Sequence, residues 1–371
     1  MQFQSIWLTF RLDSCEGDYL KQLVDAMKGA EMKLAAQPVT FADTYNIPFI
    51  PRSEVLDVAF NLAALDESTK TKKSILAILS APGTGKSRLL DELPNMADYC
   101  ESKLAKNYLA AVGKSRRVNV TFNDANSSAT PLELSVGTEV SMALRVLHAC
   151  FRSKRTERFD LSPIIQMVTP WVNRHDLRSK VTVNAVIDSL YPEENVTIFF
   201  DEFQAMGGYN EGYQERMIAS VRVLSAFVKE SSTGFFRRAV LAGTKTDSIK
   251  NAFRRSEKIR ISPVILPPFS REQAERYVEL FFEHNAPTLV WRSDRWIRTA
   301  ISVLGTIPRL LERGLEEICV GNRAGEVTLS QRDVWDSLGK CIGQTSYVSD
   351  ANTPSFRANH LACLVAHSPA G

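Results

Sequence analysis

The sequence predicts an α/β protein: a three-layer αβα arrangement with a parallel sheet of about five strands, followed by a small all-helical domain. Short apolar runs alternate with helical patterns between residues 74 and 266. Two of those runs end abruptly in polar chemistry, one in SAPGTGKS and the other in DEFQ. After Pro267 and Pro268 the strand pattern stops and only helical patterning continues.

Taken in order, Leu20, Leu23, Val24, Met27, Met32 and Leu34 recur between charges over 17–36, partly at helical spacing, which predicts an amphipathic helix. A loop with Pro38 and Pro48 follows, then IPFIPR and a helical stretch from Glu54 to Leu65. SILAIL, from Ser74 to Leu79, is an almost unbroken apolar run, as a strand buried on both faces of a parallel sheet requires. It leads into SAPGTGKS, after which RLLDEL opens a helix. Further strands are predicted over Arg117 to Phe122, Val196 to Phe200, Arg238 to Ala242 and Ile259 to Leu266. Helices are predicted over Glu139 to Phe151 and Glu215 to Lys229, with two more filling 161–190 around Pro163 and Pro170. Ser270 and Gln273 stand at capping-box spacing before the helical pattern of REQAERYVELFF. Helices with short breaks continue to Ile318, and Ser330 is placed to cap another from Gln331 to Ile342. The organisation expected is an N-terminal helical extension over 1–45, a core over 46–268, a helical lid over 269–320 and a C-terminal extension or partial domain over 321–371.

Composition narrows the class. Hydrophobic residues make up 44% and charged residues 23% of 371, which argues against a disordered chain. A formal charge of +3 leaves no whole-chain footprint for nucleic acid, so any such partner would need a local patch. The six cysteines are scattered without a CxxC pair, which argues against zinc and for free buried thiols in a reducing compartment. The first residues lack a signal-peptide pattern, and no apolar run approaches the roughly 20 residues that span a bilayer. A soluble, intracellular protein without a membrane partner is expected, cytoplasmic or nuclear.

The strongest chemical signal is the glycine loop. Ser80, Ala81, Pro82, Gly83, Thr84, Gly85, Lys86 and Ser87 fill the pattern GxxxxGK(S/T), with Ser80 in place of the first glycine. Gly83 and Gly85 allow the backbone angles that close such a loop around phosphate. Its N–H groups then form an anion nest. Lys86 supplies a point charge to the outer phosphates and Ser87 a hydroxyl to magnesium. Strand and helix flank the motif as the chemistry demands. The candidate nucleotide contacts run from Ser80 through Arg88.

The second signal is IFFDEFQ. A strand that ends in Asp201 sets a carboxylate at the carboxyl edge of a parallel sheet, where ligands bind. Asp201 is the candidate magnesium ligand together with Ser87, and Glu202 the candidate general base for an attacking water. The next strand ends in Ala242, Gly243 and Thr244, and a threonine there either orients water or simply makes a turn. Arg309, in GTIPRLL, stands near the start of a helix and reads either as a phosphate-sensing lid residue or as a surface arginine.

The remaining cations are ambiguous. Arg254 and Arg255 suit an arginine finger reaching a neighbouring subunit and equally suit a solvated charge run. Lys245, Lys250, Lys258 and Arg260 extend that run, and the six cations could equally form a nucleic-acid patch. RSKRTER at 152–158 reads best as a charged helix end.

SAPGTGKS, IFFDEFQ, LAGT and GTIPR, in that order, resemble the AAA+ and STAND branch of P-loop ATPases over about 50–320. PFIPRSEVLDVAF resembles the lead-in of such ATPases, in which an arginine and a helix precede the first strand. The resemblance implies a P-loop NTPase core with a helical lid. It implies Walker A roles for Lys86 and Ser87, and Walker B roles for Asp201 and Glu202. It also implies a sensor-1 role for Thr244 and a sensor-2 role for Arg309. VNVTFND and SMALRVLHACF are similar to the ATPase module of Crinkler effectors and retrotransposon hot spot proteins, which would add delivery into a host cell.

The expected activity is ATP binding and magnesium-dependent ATP hydrolysis that drives a conformational switch, with a homo-oligomer or protein partner. Two alternatives stay open: a nucleotide-gated binding or scaffold module with little hydrolysis, and a small-molecule phosphotransferase.

Overall fold

Apolar runs bounded by turn residues become the strands. The computed structural model describes residues 19–29, 34–36, 39–41, 47–68, 74–122, 130–152, 161, 164–165, 168, 180–208, 211–229, 234–244, 246–256, 259–287 and 291–322. The strands are β1 (Ser74–Leu79), β2 (Arg116–Thr121), β3 (Val196–Asp201), β4 (Arg237–Gly243) and β5 (Arg260–Val264). They form one sheet in the order β2-β3-β4-β1-β5, with every pairing parallel. β3 is buried throughout and β1 at all but Ser74, because helices cover both faces of the central strands. The edge strands β2 and β5 are only half buried. Pro263 lies in β5, where the missing N–H is tolerated because the strand has a neighbour on one side only.

The sheet order explains where ligand chemistry belongs. β1 has β4 on one side and β5 on the other, while its successor in the chain, β2, lies beyond β4 and β3. Such a reversal of strand order opens a crevice at the carboxyl ends of the strands.

The helices are α1 (Tyr19–Gly29), α2 (Ser53–Ser68), α3 (Lys86–Glu92), α4 (Lys103–Gly113), α5 (Pro131–Val136), α6 (Thr138–Phe151), α7 (Val183–Leu190), α8 (Tyr213–Lys229), α9 (Thr246–Ser256), α10 (Arg271–Asn285), α11 (Arg295–Leu304) and α12 (Pro308–Asn322). α1 buries Leu20, Leu23, Val24 and Met27 in the same apolar core as the sheet. It is shorter than the 17–36 span of the periodicity: it ends at Gly29, Leu34 is exposed, and Met32 lies outside the described residues. α6 is buried from Val140 to Phe151, the most enclosed helix face of the core. Of the two helices expected over 161–190, α7 is described, and most of 162–179 lies outside the described residues. So does the helix expected from Gln331 to Ile342.

The chain divides into two compact units that cut across sequence order. The described residues of the first fall within 19–41, 53–80 and 86–265, and carry α1 to α9 with the whole sheet. Those of the second fall within 47–52, the loop segment 81–85, and 266–322, and carry α10 to α12. Its own core joins Val278, Phe282, Ile297, Leu311 and Leu315 with Ile47. α10 begins with the expected reciprocal cap: Gln273 N–H donates to Ser270 Oγ at 3.1 Å, and Ser270 N–H donates to Gln273 Oε1 at 3.0 Å. Among the described residues Cys100, Cys150 and Cys319 are buried and in no disulfide, while Cys15, Cys341 and Cys363 lie outside them. No described helix is long and apolar enough to cross a membrane.

Candidate functional site

At the carboxyl edge of the sheet three strand ends meet within the first unit. β1 runs into Ser80, whose N–H donates to Gly243 O of β4 at 3.3 Å. Lys86 opens α3 and is buried, with Nζ donating to Ser80 O at 3.2 Å. One residue on, Ser87 Oγ donates to Asp201 Oδ2 at 2.7 Å, joining the glycine-loop motif to the acidic tip of β3. Asp201 has no exposed surface. Burial pushes its carboxyl up to about 7, and the charge of Glu202 adds to the rise. The Ser87 hydrogen bond and the Lys86 ammonium oppose that shift. Arg88, the last of the expected contacts, pairs with Glu92 one turn along α3 at 2.8 Å.

Glu202 is the only non-glycine residue with positive φ among the described residues, at 53°. The left-handed backbone turns the chain out of β3 into a 3-10 turn over Phe203–Gly207. Strain of this kind collects at functional positions. The carboxylate accepts from Gln204 Nε2 and, at 3.4 Å, from the Thr244 hydroxyl. Gln204 Nε2 also donates to Thr244 Oγ1 at 2.9 Å, and its Oε1 accepts from Thr244 N–H at 3.2 Å. The base expected at Glu202 and the threonine expected at the tip of the next strand are thus in direct contact, beside the Ser87–Asp201 pair.

The loop segment 81–85 lies in the second unit. Ala81 and Pro82 are exposed. Gly83 and Gly85 take φ of 77° and 91°, angles at which a Cβ would be strained. Thr84 Oγ1 donates to Ala81 O at 2.9 Å. Arg309 N–H donates to Gly83 O at 3.2 Å, and a Cβ at Gly83 would approach Arg309 Cβ to 3.3 Å. The arginine singled out from GTIPR therefore packs by its backbone and Cβ on the loop.

Three sets of contacts escaped the reading of the sequence. Gln204 stands inside IFFDEFQ, but nothing in the string says that a side chain just after the acids turns back onto them. Arg52 belongs to the lead-in IPFIPR; its Nη2 donates to Thr84 O at 2.8 Å and its guanidinium stacks over Phe269 at 4.7 Å. Burial lowers its guanidinium to about 10. Glu133 and Arg145 form a buried bidentate pair, at 2.5 and 2.9 Å, and the guanidinium lies 4.2 Å from the Phe122 ring. Glu133 also accepts from Thr130 N–H at 2.9 Å, so one carboxylate serves a helix cap and an ion pair behind the tip of β2. The TPLE spacing from Thr130 to Glu133 carried the cap half of that signal.

Arg254 and Arg255 are exposed in the last turn of α9, and Lys245 and Lys258 lie outside the described residues. Arg152 is buried at the end of α6, and 153–158 lie outside the described residues.

A parallel sheet of this order, a glycine loop after β1 and an acidic tip on β3 together define a P-loop NTPase-type α/β fold. No family model and no curated protein matches the chain. Among solved structures it is similar to the ORC2 protein of Aeropyrum pernix in ADPNP–ADP complexes, at 16% identity over 81% of this chain and 71% of that one, with a TM-score of 0.49. It is similar to the ORC1 protein of Aeropyrum pernix in complex with DNA, at 13% identity over 81% and 68%, with a TM-score of 0.44. It is also similar to domain III of the Thermotoga maritima replication initiation protein DnaA, at 12% identity over 80% and 95%, with a TM-score of 0.41. At this distance the chemistry of the site rests on its own geometry.

Proposed function

We propose that the chain is an AAA+/STAND-like ATPase that binds ATP with magnesium and hydrolyses it to drive a conformational switch. The observation that carries this reading is the hydrogen bond from Ser87 to the fully buried Asp201, with Glu202 next in the chain. A buried carboxyl raised to about 7 is poorly served by an apolar core and well served by a divalent cation. The hydroxyl and carboxylate oxygens are hard donors, the type magnesium takes. Ser87 and Asp201 would hold the ion, which supplies charge neutralisation at the phosphates when bound.

The remaining steps fall to the chain's own side chains. Lys86 draws the outer phosphates by charge, and the N–H groups of the glycine loop donate to them as an anion nest. Glu202 takes a proton from water as the water oxygen bonds to the terminal phosphorus and the bond to the leaving diphosphate breaks. Thr244, in contact with Glu202, orients that water or the phosphate. Arg309 answers the state of the loop from the helical unit, whose Gly83 carbonyl it holds.

The test is turnover with magnesium in the parent and in Glu202→Gln. The variant is expected to bind ATP within about threefold of the parent and to hydrolyse it slower by about a hundredfold or more. Equal rates would remove Glu202 from the base role. Tight ATP binding without turnover at any protein concentration would instead establish a nucleotide-gated module, and a substrate-dependent burst of ADP a phosphotransferase. Activity that climbs steeply with protein concentration, with or without added DNA, would identify assembly as part of the mechanism. The narrower likeness to Crinkler and retrotransposon hot spot ATPases rests on the two sequence motifs alone.

A further inference from the structure

We propose that Gln204 is the positioning residue of this site: its carboxamide holds the Glu202 carboxylate in register with Thr244, so that the base and the threonine act as one unit. The proposal rests on the hydrolytic reading of Glu202.

Gln204 sits in the 3-10 turn that follows Glu202 and is buried. A carboxamide offers two donors at nitrogen and an acceptor at oxygen. Here one nitrogen serves both the Glu202 carboxylate and the Thr244 hydroxyl, while the oxygen accepts from Thr244 N–H. The side chain therefore ties the tip of β3 to the tip of β4, two neighbouring parallel strands. No other side chain of this size satisfies the set. Glutamate would set an acceptor against an acceptor, and asparagine is one methylene short of the reach.

An independent feature points the same way. Gly243 ends β4, and a Cβ there would come to 2.6 Å from Gln204 Oε1 and 2.5 Å from Ile249 Cδ1. A Cβ would therefore displace the Gln204 carboxamide, the Ile249 methyl, or both. Gly243 thus leaves room beside Thr244 in which the Gln204 carboxamide sits against Ile249. A shift of Thr244 against bound phosphate would move Gln204 by its paired bonds and carry Glu202 with it.

The experiment compares kcat and KM for ATP in the parent, Gln204→Ala, Gln204→Asn, Gly243→Ala and Glu202→Gln, each checked for folding by thermal melting. Both Gln204 variants are expected to lose about tenfold or more in kcat with KM within about threefold, because positioning is felt in the transition state and not in ground-state binding. Gly243→Ala is expected to reproduce that split with every polar group present. The double variant Gln204→Ala/Glu202→Gln is expected to be no slower than Glu202→Gln alone, since residues acting as one unit are not additive. Should Glu202→Gln be slow while Gln204→Ala and Gln204→Asn keep the parent's kcat, the positioning role is overturned. Losses that multiply in the double variant overturn it as well, because they mark a general structural defect. If Glu202→Gln turns over like the parent, or the parent does not turn over, the hydrolytic reading falls first and the proposal falls with it.

Discussion

Asp201 and Cys150 both lie in the core of the first unit, and burial acts on both in the same direction. Asp201, with no exposed surface, is raised to about 7 and has a hydroxyl partner and an ammonium nearby to offset the loss of water. Cys150 is raised from 9.0 to about 12 by burial, opposed by a hydrogen bond with Tyr191 and by the charge of Arg116. The sign of its effect on stability follows. Between pH 9 and 12 the unfolded chain sheds the thiol proton and the folded chain keeps it, so stability falls as pH rises through that window. At pH 8 the thiol is protonated and enclosed. Iodoacetamide labelling of Cys150, followed by peptide mass spectrometry, is expected only at the rate of unfolding, whereas rapid labelling of native protein would contradict its placement. Buried thiols are what the six scattered cysteines predict, and Cys100, Cys150 and Cys319 are buried. Which residues lose water depends on what packs over them, and α6 is covered along most of its length.

At the scale of elements, local chemistry and long-range constraint can be told apart by substitution. Ser270 caps α10 through its own hydroxyl, a purely local device. Ser270→Ala is expected to cost about 1 kcal/mol, seen as a lower melting temperature with kcat unchanged. Gly83 is constrained twice, by a φ of 77° and by Arg309 standing 3.3 Å from where a Cβ would go. Gly83→Ala is expected to weaken ATP binding by about tenfold, since a left-handed L-residue costs about 1–2 kcal/mol and the loop must yield to relieve it. Titration calorimetry distinguishes the two: the cap variant should bind ATP as the parent does. The cap was readable because its partners are three residues apart, Ser270 and Gln273. The Arg309 contact was readable only as a motif order, because its partner Gly83 is far away in the chain.

For the molecule as a whole, a ligand that binds only the folded state raises stability by mass action. ATP with magnesium at about a hundredfold above its dissociation constant should add about 2.7 kcal/mol, a rise of a few degrees in the melting temperature. Lys86→Ala, which removes the buried ammonium beside Ser80 O, should abolish that rise while melting near the parent in its absence. A variant that keeps the full nucleotide shift would take Lys86 out of the site. The sequence by itself determined the five strands, the helices α2, α3, α6, α8 and α10, the loop SAPGTGKS and the acidic end of β3, but not α4, α5 or α9. Those features are written in nearest-neighbour patterns: apolar runs, turn residues and the few side chains that suit phosphate and a hard cation. The tertiary structure alone decided the strand order that sets β4 between β1 and β3, and with it the meeting of Ser87 with Asp201 and of Gln204 with Thr244. It alone assigned 47–52 and 81–85 to the helical unit. Pairings of this kind depend on which surfaces bury one another across long stretches of chain, and no local pattern encodes that choice.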